Sequence, residues 1–110
     1  MTHINEIKSE LEILKEIILE KVPTEEIWLF GSYAYGTPRN DSDIDIYIVM
    51  KDDAKMREMD AMTEVNIGRT ERKLRRSVDV LALRKNRFWD RANNATMEKK
   101  ITEHGIKIYG

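Results

Sequence analysis

Cysteine is absent from the 110 residues, which removes disulfides, thiolate zinc sites and cysteine nucleophiles together. Histidine is nearly absent too. His3 and His104 have no second ligand at metal-binding spacing and read as surface residues. No apolar run approaches the ~18 residues of a membrane span. Met1-Thr2-His3-Ile4-Asn5-Glu6 lacks the basic-then-apolar shape of a signal peptide, so a cytoplasmic protein is expected. With two prolines and five glycines, breaks in the chain are few, and no repeat, low-complexity tract or linker is visible. Excess charge is missing as well: the net charge is −1, while 41% of residues are hydrophobic and 35% charged. The apolar residues fall in patterned clusters, which argues against disorder. One domain over residues 1–110 is expected, since single cores commonly run to roughly 100–150 residues.

The small net charge conceals an asymmetry. Residues 1–56 carry 6 basic and 12 acidic side chains, whereas residues 57–110 carry 13 basic and 8 acidic ones. The densest basic cluster is Arg69, Arg72, Lys73, Arg75 and Arg76. It reads as a solvated helix face, the alternative being a contact surface for an acidic partner or RNA.

Periodicity supplies the elements. Ile4, Ile7, Leu11, Leu14 and Ile18 recur at helical steps over residues 3–20, widened by Ile13 and Ile17, with Thr2 as a possible cap and Pro23 as the stop. Residues 26–31 form a short apolar run ending in glycine, which predicts a buried strand with Trp28 in the core. Residues 32–42 hold Gly36, Pro38 and Asn40 and read as a loop with room for one helical turn after Gly31. Ile44, Ile46 and Ile48 then alternate with Asp43, Asp45, Tyr47 and Val49, a period-two strand. A helix is predicted over 53–75, with Met56, Met59, Met62 and Val65 as a packing stripe interrupted by Gly68. A strand follows over 77–83. One helix is predicted over 87–103, with Phe88, Ala92 and Ala95 on its packed side. Gly105 stops it, and a last short strand follows at Ile106–Tyr109. The order α, β, turn, β, α, β, α, β predicts a layered α/β or α+β domain with one mixed sheet flanked by helices.

The informative residues are acidic. Alternation sends Asp43 and Asp45 to one sheet face, about 7 Å apart along the strand, opposite the isoleucine face. Asp79 is a third acid, set between Val78 and Val80. If the two strands are neighbours, three hard oxygen ligands converge, a set suited to Mg²⁺ shared with substrate phosphates and water. Gly31-Ser32 lies after the first strand, where a glycine lets the backbone approach a phosphate and the serine adds a donor. Metal carboxylates beside a phosphate turn are equipment for in-line displacement at phosphorus. Each part has a plainer reading: Asp-x-Asp as a solvated edge, Gly-Ser as an ordinary turn, Asp79 as a cap or an arginine partner. Asp41, Asp43 and Asp45 also mimic the start of a helix–loop–helix calcium loop. That loop needs glycine at its sixth position and glutamate at its twelfth, where this chain has Ile46 and Asp52.

At these residues the sequence resembles the minimal nucleotidyltransferases of the DNA polymerase β superfamily. Leu29-Phe30-Gly31-Ser32 through Ser42-Asp43-Ile44-Asp45-Ile46 matches the family's Gly-Ser and Asp-x-Asp with its spacing intact. Ser77-Val78-Asp79-Val80-Leu81 is similar to its third-acid strand, and Glu103 to Tyr109 to its ending. The resemblance implies transfer of a nucleoside monophosphate from a nucleotide triphosphate, with ATP as donor and two Mg²⁺ ions. It assigns Asp43 and Asp45 to both metals, Asp79 to the metal that activates the acceptor hydroxyl, and Gly31 and Ser32 to the donor's phosphates. Stand-alone members resemble antitoxins that adenylylate a HEPN-type toxin, which makes such a partner, in a hetero-complex, the expectation. The alternatives are a small-molecule nucleotidyltransferase of the antibiotic-modifying kind and a catalytically silent antitoxin that acts by binding alone. A nucleic-acid partner is less favoured, and no membrane is implied. One departure stands out. Members often carry arginine where this chain has Tyr35; Arg39 and Lys51 are candidate replacements for that charge, though each reads first as a surface charge. A chain this short is expected to borrow acceptor recognition from a second one.

Overall fold

The computed structural model describes residues 4–39 and 41–110. Thr2 as a helix cap, His3 as a surface residue and Asn40 in the loop therefore lie outside the described residues. A 3-10 turn, Ile4–Ile7, leads into α1, Lys8–Lys21. The helix buries Leu11, Leu14, Ile17 and Ile18, the stripe that the sequence spacing predicts. Strand β1 is Thr24–Phe30, and α2, Ser32–Tyr35, is the single turn allowed for after Gly31. Strand β2 is Ile44–Met50, α3 is Glu58–Glu71 and β3 is Val78–Arg84. Helices α4, Lys85–Ala92, and α5, Met97–His104, precede β4, Ile106–Tyr109.

The four strands form one mixed sheet in the order β3-β2-β1-β4. β1 runs antiparallel to β2 and to β4, and β2 runs parallel to β3. Both faces are covered, which is why the central strands are almost wholly buried. On one face Ile44, Ile46, Ile48 and Met50 of β2 join Ile27 and Leu29 of β1 beneath α1 and α3. On the other, Trp28, Tyr47, Val49 and Leu83 pack with Phe88 of α4 and Ile101 of α5. Close approach of α1 and α3 depends on Gly68: a Cβ there would stand 2.6 Å from Ile17 Cγ2. The glycine that weakens α3 by propensity thus supplies its packing surface.

Three expectations are corrected. Helix α3 begins at Glu58, not 53, because the Arg84 guanidinium donates to the carbonyls of Ala54 (2.9 Å) and Met56 (2.7 Å) and holds that segment outside the helix. Of the expected methionine stripe, Met56, Met62 and Val65 do pack against the core, joined by Ala61 and Gly68, whereas Met59 is 69% exposed. The predicted helix over 87–103 is two helices. Asn93 and Asn94 close α4, and Thr96 caps α5 by accepting from the Lys99 N–H at 3.3 Å while donating to the Arg91 carbonyl at 2.6 Å. Ala95 falls in this break and is exposed.

The break places Glu98, only 3% exposed, over the sheet. Tyr47 donates its hydroxyl to Glu98 Oε2 at 2.8 Å, and Arg91 donates to Oε1 at 3.0 Å. Burial pushes the Glu98 carboxyl up. The hydrogen bonds from Tyr47, its own backbone and Arg91 outweigh burial and hold it below the ordinary range. A depressed carboxylate contributes stability that is present at neutral pH and lost as acid protonates it. Glu98→Gln is expected to destabilise by about 1–3 kcal/mol, the range for a buried charge-assisted hydrogen bond. Urea titration at pH 7 measures that loss, and the gap from wild type should narrow below pH 4.

Candidate active site

The carboxylates meet where three strand ends come together. Phe30, the last residue of β1, pairs with Asp45 of β2, and Asp45 pairs in parallel register with Asp79 of β3. Asp43 stands just ahead of β2. Because alternate residues of a strand share a face, Asp45 and Asp79 lie on the side that carries Tyr47, Leu81 and Leu83, and Asp43 is near enough to act on Asp45 through its charge. That side is the face roofed by α4 and α5. Asp45 is half-buried, while Asp43 and Asp79 are exposed.

Gly31 fixes the other wall. Its φ of +73° and ψ of −158° lie in a region essentially reserved for glycine. Its carbonyl accepts from the N–H groups of Ala34 (3.1 Å) and Tyr35 (2.9 Å), which folds the chain back into α2. A side chain at this position would overlap Oδ2 of Asp45 and lie 2.8 Å from its Cγ. The Gly31–Ser32 turn and the Asp45 carboxylate are therefore in direct apposition.

The Asp45 carboxyl is pushed up to about 6. Burial is the first cause, followed by the negative charges of Asp79 and Asp43 and a hydrogen bond shared with Asp79. Among the described residues none of the three has an ion-pair partner. Nor do any three ligating side chains among them already form a metal shell. Asp45 and Asp79 are the coupled pair, and Asp43 acts on Asp45 through its charge alone. A cluster of hard oxygen donors without an internal counter-charge fits a divalent cation such as Mg²⁺.

Two contacts at this corner were not legible in the sequence. Burial raises the Tyr35 hydroxyl, a hydrogen bond from the Gly31 backbone lowers it and the Asp45 charge raises it, with a net upward shift. Lys100 of α5 places its ammonium 4.5 Å from the centre of the Tyr35 ring. No sequence signal links these positions, because only the packing of α5 over the sheet brings them together. Arg39 and Lys51, the sequence candidates for a charge in this region, are both exposed and make no side-chain contact to the carboxylates. The basic cluster also divides. Arg72 pairs with Glu16 at 3.2 Å, and Arg76 pairs with Glu10 at 3.7 Å and donates to the Tyr33 hydroxyl at 2.7 Å. These two arginines tie α1 and α2 to the chain ahead of β3, while Lys73 and Arg75 are exposed. Trp89, 37% exposed, donates to Glu26 at 3.0 Å.

The comparisons agree with this geometry. The family model of the nucleotidyltransferase domain matches residues 11–107. A crystal structure provisionally assigned as a nucleotidyltransferase from Sulfolobus solfataricus is 33% identical, with a TM-score of 0.57 over 81% of this chain and 75% of that one. A mutant of the MntA–HpeT toxin–antitoxin pair is 22% identical, with a TM-score of 0.56 over 94% of this chain and 72% of that one. Among curated proteins none matches the chain. The mixed sheet, the strand-end carboxylates and a family match across nearly the whole length converge on one assignment: the chain belongs to the nucleotidyltransferase domain family and is a nucleotidyltransferase.

Proposed function

We propose that residues 1–110 act as one nucleotidyltransferase domain that transfers AMP from ATP to a hydroxyl of a partner protein, and that this partner is a toxin of the HEPN type. The observation that carries the reading is the pairing of Asp45 with Asp79 directly against the Gly31–Ser32 turn. Asp43, Asp45 and Asp79 would hold two Mg²⁺ ions. When bound, the ions supply charge stabilisation at the attacking and leaving oxygens. Gly31 and Ser32 line the donor's phosphate side, and the missing Cβ at Gly31 lets the Asp45 carboxylate sit directly against that turn. Asp79 is the exposed member of the pair and is open to an incoming acceptor. The acceptor oxygen forms a bond to the α-phosphorus, the bond to pyrophosphate breaks, and the hydroxyl proton leaves by way of Asp79.

The fold relative in a toxin–antitoxin pair supports the choice of partner. Among the described residues no helix is long and apolar enough to cross a membrane, which is compatible with action in the cytoplasm. The test is incubation with α-labelled ATP, Mg²⁺ and the protein encoded beside this one. Label on that protein, absent with Asp45→Asn, is the expected result. Label on a small hydroxyl compound would instead mark an antibiotic-type enzyme. No transfer at all, with a stable complex, would mark a binding antitoxin.

A further inference from the structure

Transfer from a nucleotide triphosphate needs positive charge along the polyphosphate, not only at the reacting phosphorus. The three acids contribute the opposite sign, and the Gly31–Ser32 turn contributes no full charge. A cation near this turn is therefore the component to look for. Lys100 is on the right face: α5 roofs the same side of the sheet that carries Asp45, with Glu98 and Ile101 as its buried anchors. Its ammonium lies 4.5 Å from the Tyr35 ring centre. Tyr35 is itself tied to the turn, its backbone N–H donating to the Gly31 carbonyl at 2.9 Å, and its hydroxyl feels the charge of Asp45. Lys100 is exposed and has no ion-pair partner among the described residues. An ammonium resting on an aromatic face is positioned yet remains free to donate.

We infer that Lys100, steered by the Tyr35 ring, contacts the donor's β- and γ-phosphates and so selects nucleoside triphosphates over monophosphates. The inference rests on the nucleotidyl-transfer reading of the same site. It adds a donor-positioning residue that lies in α5, far along the chain from the Gly-Ser and Asp-x-Asp segments. Bound, a triphosphate would lie between the Gly31–Ser32 turn and the Lys100 ammonium, with its reacting end toward Asp45.

Equilibrium dialysis with labelled ATP and labelled AMP, each with Mg²⁺, tests this on the intact chain. Lys100→Gln should weaken ATP binding roughly tenfold, the scale of one charge-assisted hydrogen bond to phosphate. AMP binding should stay unchanged. Lys100→Arg should restore ATP binding to within about twofold, and Lys99→Gln, an exposed neighbour on the same helix, should have no effect. The inference is overturned if Lys100→Gln binds ATP as wild type does, or loses ATP and AMP equally, or is matched by Lys99→Gln. If wild type itself fails to bind ATP with Mg²⁺, the nucleotidyl-transfer reading fails first. A deficit confined to Lys100→Gln therefore separates the two ideas.

Discussion

Asp45→Asn is expected to abolish transfer while making the metal-free protein more stable at neutral pH. The first half follows from charge. A carboxylate that holds divalent cations at a phosphoryl centre supports several kcal/mol of transition-state stabilisation. At 1.36 kcal/mol per tenfold, its loss amounts to roughly three orders of magnitude in rate. The second half follows from the displaced titration. The folded Asp45 carboxyl titrates near 6, above the ~3.9 of an unfolded aspartate. Between those values the folded state binds more protons than the unfolded one, so stability falls as pH rises through the window. Complete ionisation would cost about 3 kcal/mol, and solvent screening of this half-buried group reduces that to roughly 1–2 kcal/mol. Melting curves in chelator should therefore show wild type losing about 5 °C or more between pH 4.5 and 7.5 relative to Asp45→Asn. The two should coincide near pH 4. Mg²⁺ should raise the wild-type midpoint at pH 7.5 and leave that of Asp45→Asn nearly unmoved. A mutant less stable than wild type at pH 7.5 in chelator would refute this account of the acidic corner.

The same carboxylates show what a sequence does and does not disclose. Alternation of Ile44, Ile46 and Ile48 with Asp43, Asp45 and Tyr47 is local information, and it gives both the strand and the face of the acids. The pairing of β2 with β3 is not local, yet an acid inside Val78-Asp79-Val80 has few uses away from another charged strand, and the register sets Asp79 beside Asp45. Where sequence reading went astray, a tertiary contact overrode a local period. Helical spacing runs on through Ala92, Ala95 and Met97, but the Thr96 hydroxyl bonds across the break to Arg91 and turns α5 back onto the sheet. Residues 53–57 carry helix-compatible side chains, yet Arg84 claims their carbonyls from a distant strand. Met59 keeps the methionine spacing and is nevertheless exposed, because Gly68 draws α3 onto Ile17 and fixes which face turns inward. Glu98 and Lys100 were invisible for the same reason. A charged residue on an amphipathic helix reads as solvated surface until the helix is known to cross Tyr47 or Tyr35.

Gly31→Ala is the second large effect, and its comparison with Gly36→Ala separates backbone strain from chemistry. Both glycines hold positive φ, +73° at Gly31 and +98° at Gly36, so both alanine variants should lose about 1–3 kcal/mol of stability. Only at Gly31 does the added methyl collide with the Asp45 carboxylate. The collision is relieved when Asp45 rotates or the turn moves outward. Either response separates the phosphate side from the carboxylate side, and a misplacement of about 1 Å can cost a hundredfold in rate. Gly31→Ala should therefore lose transfer activity by roughly two orders of magnitude or more, measured well below its melting temperature. Gly36→Ala, which strains the far end of α2, should keep activity within a few-fold of wild type. Equal activities in the two variants would mean that the apposition of Gly31 and Asp45 plays no part in the reaction, and that the glycine serves only the turn. A selective loss at Gly31 would mean that this chain needs glycine there for what a side chain would displace: the Asp45 carboxylate held directly against the turn.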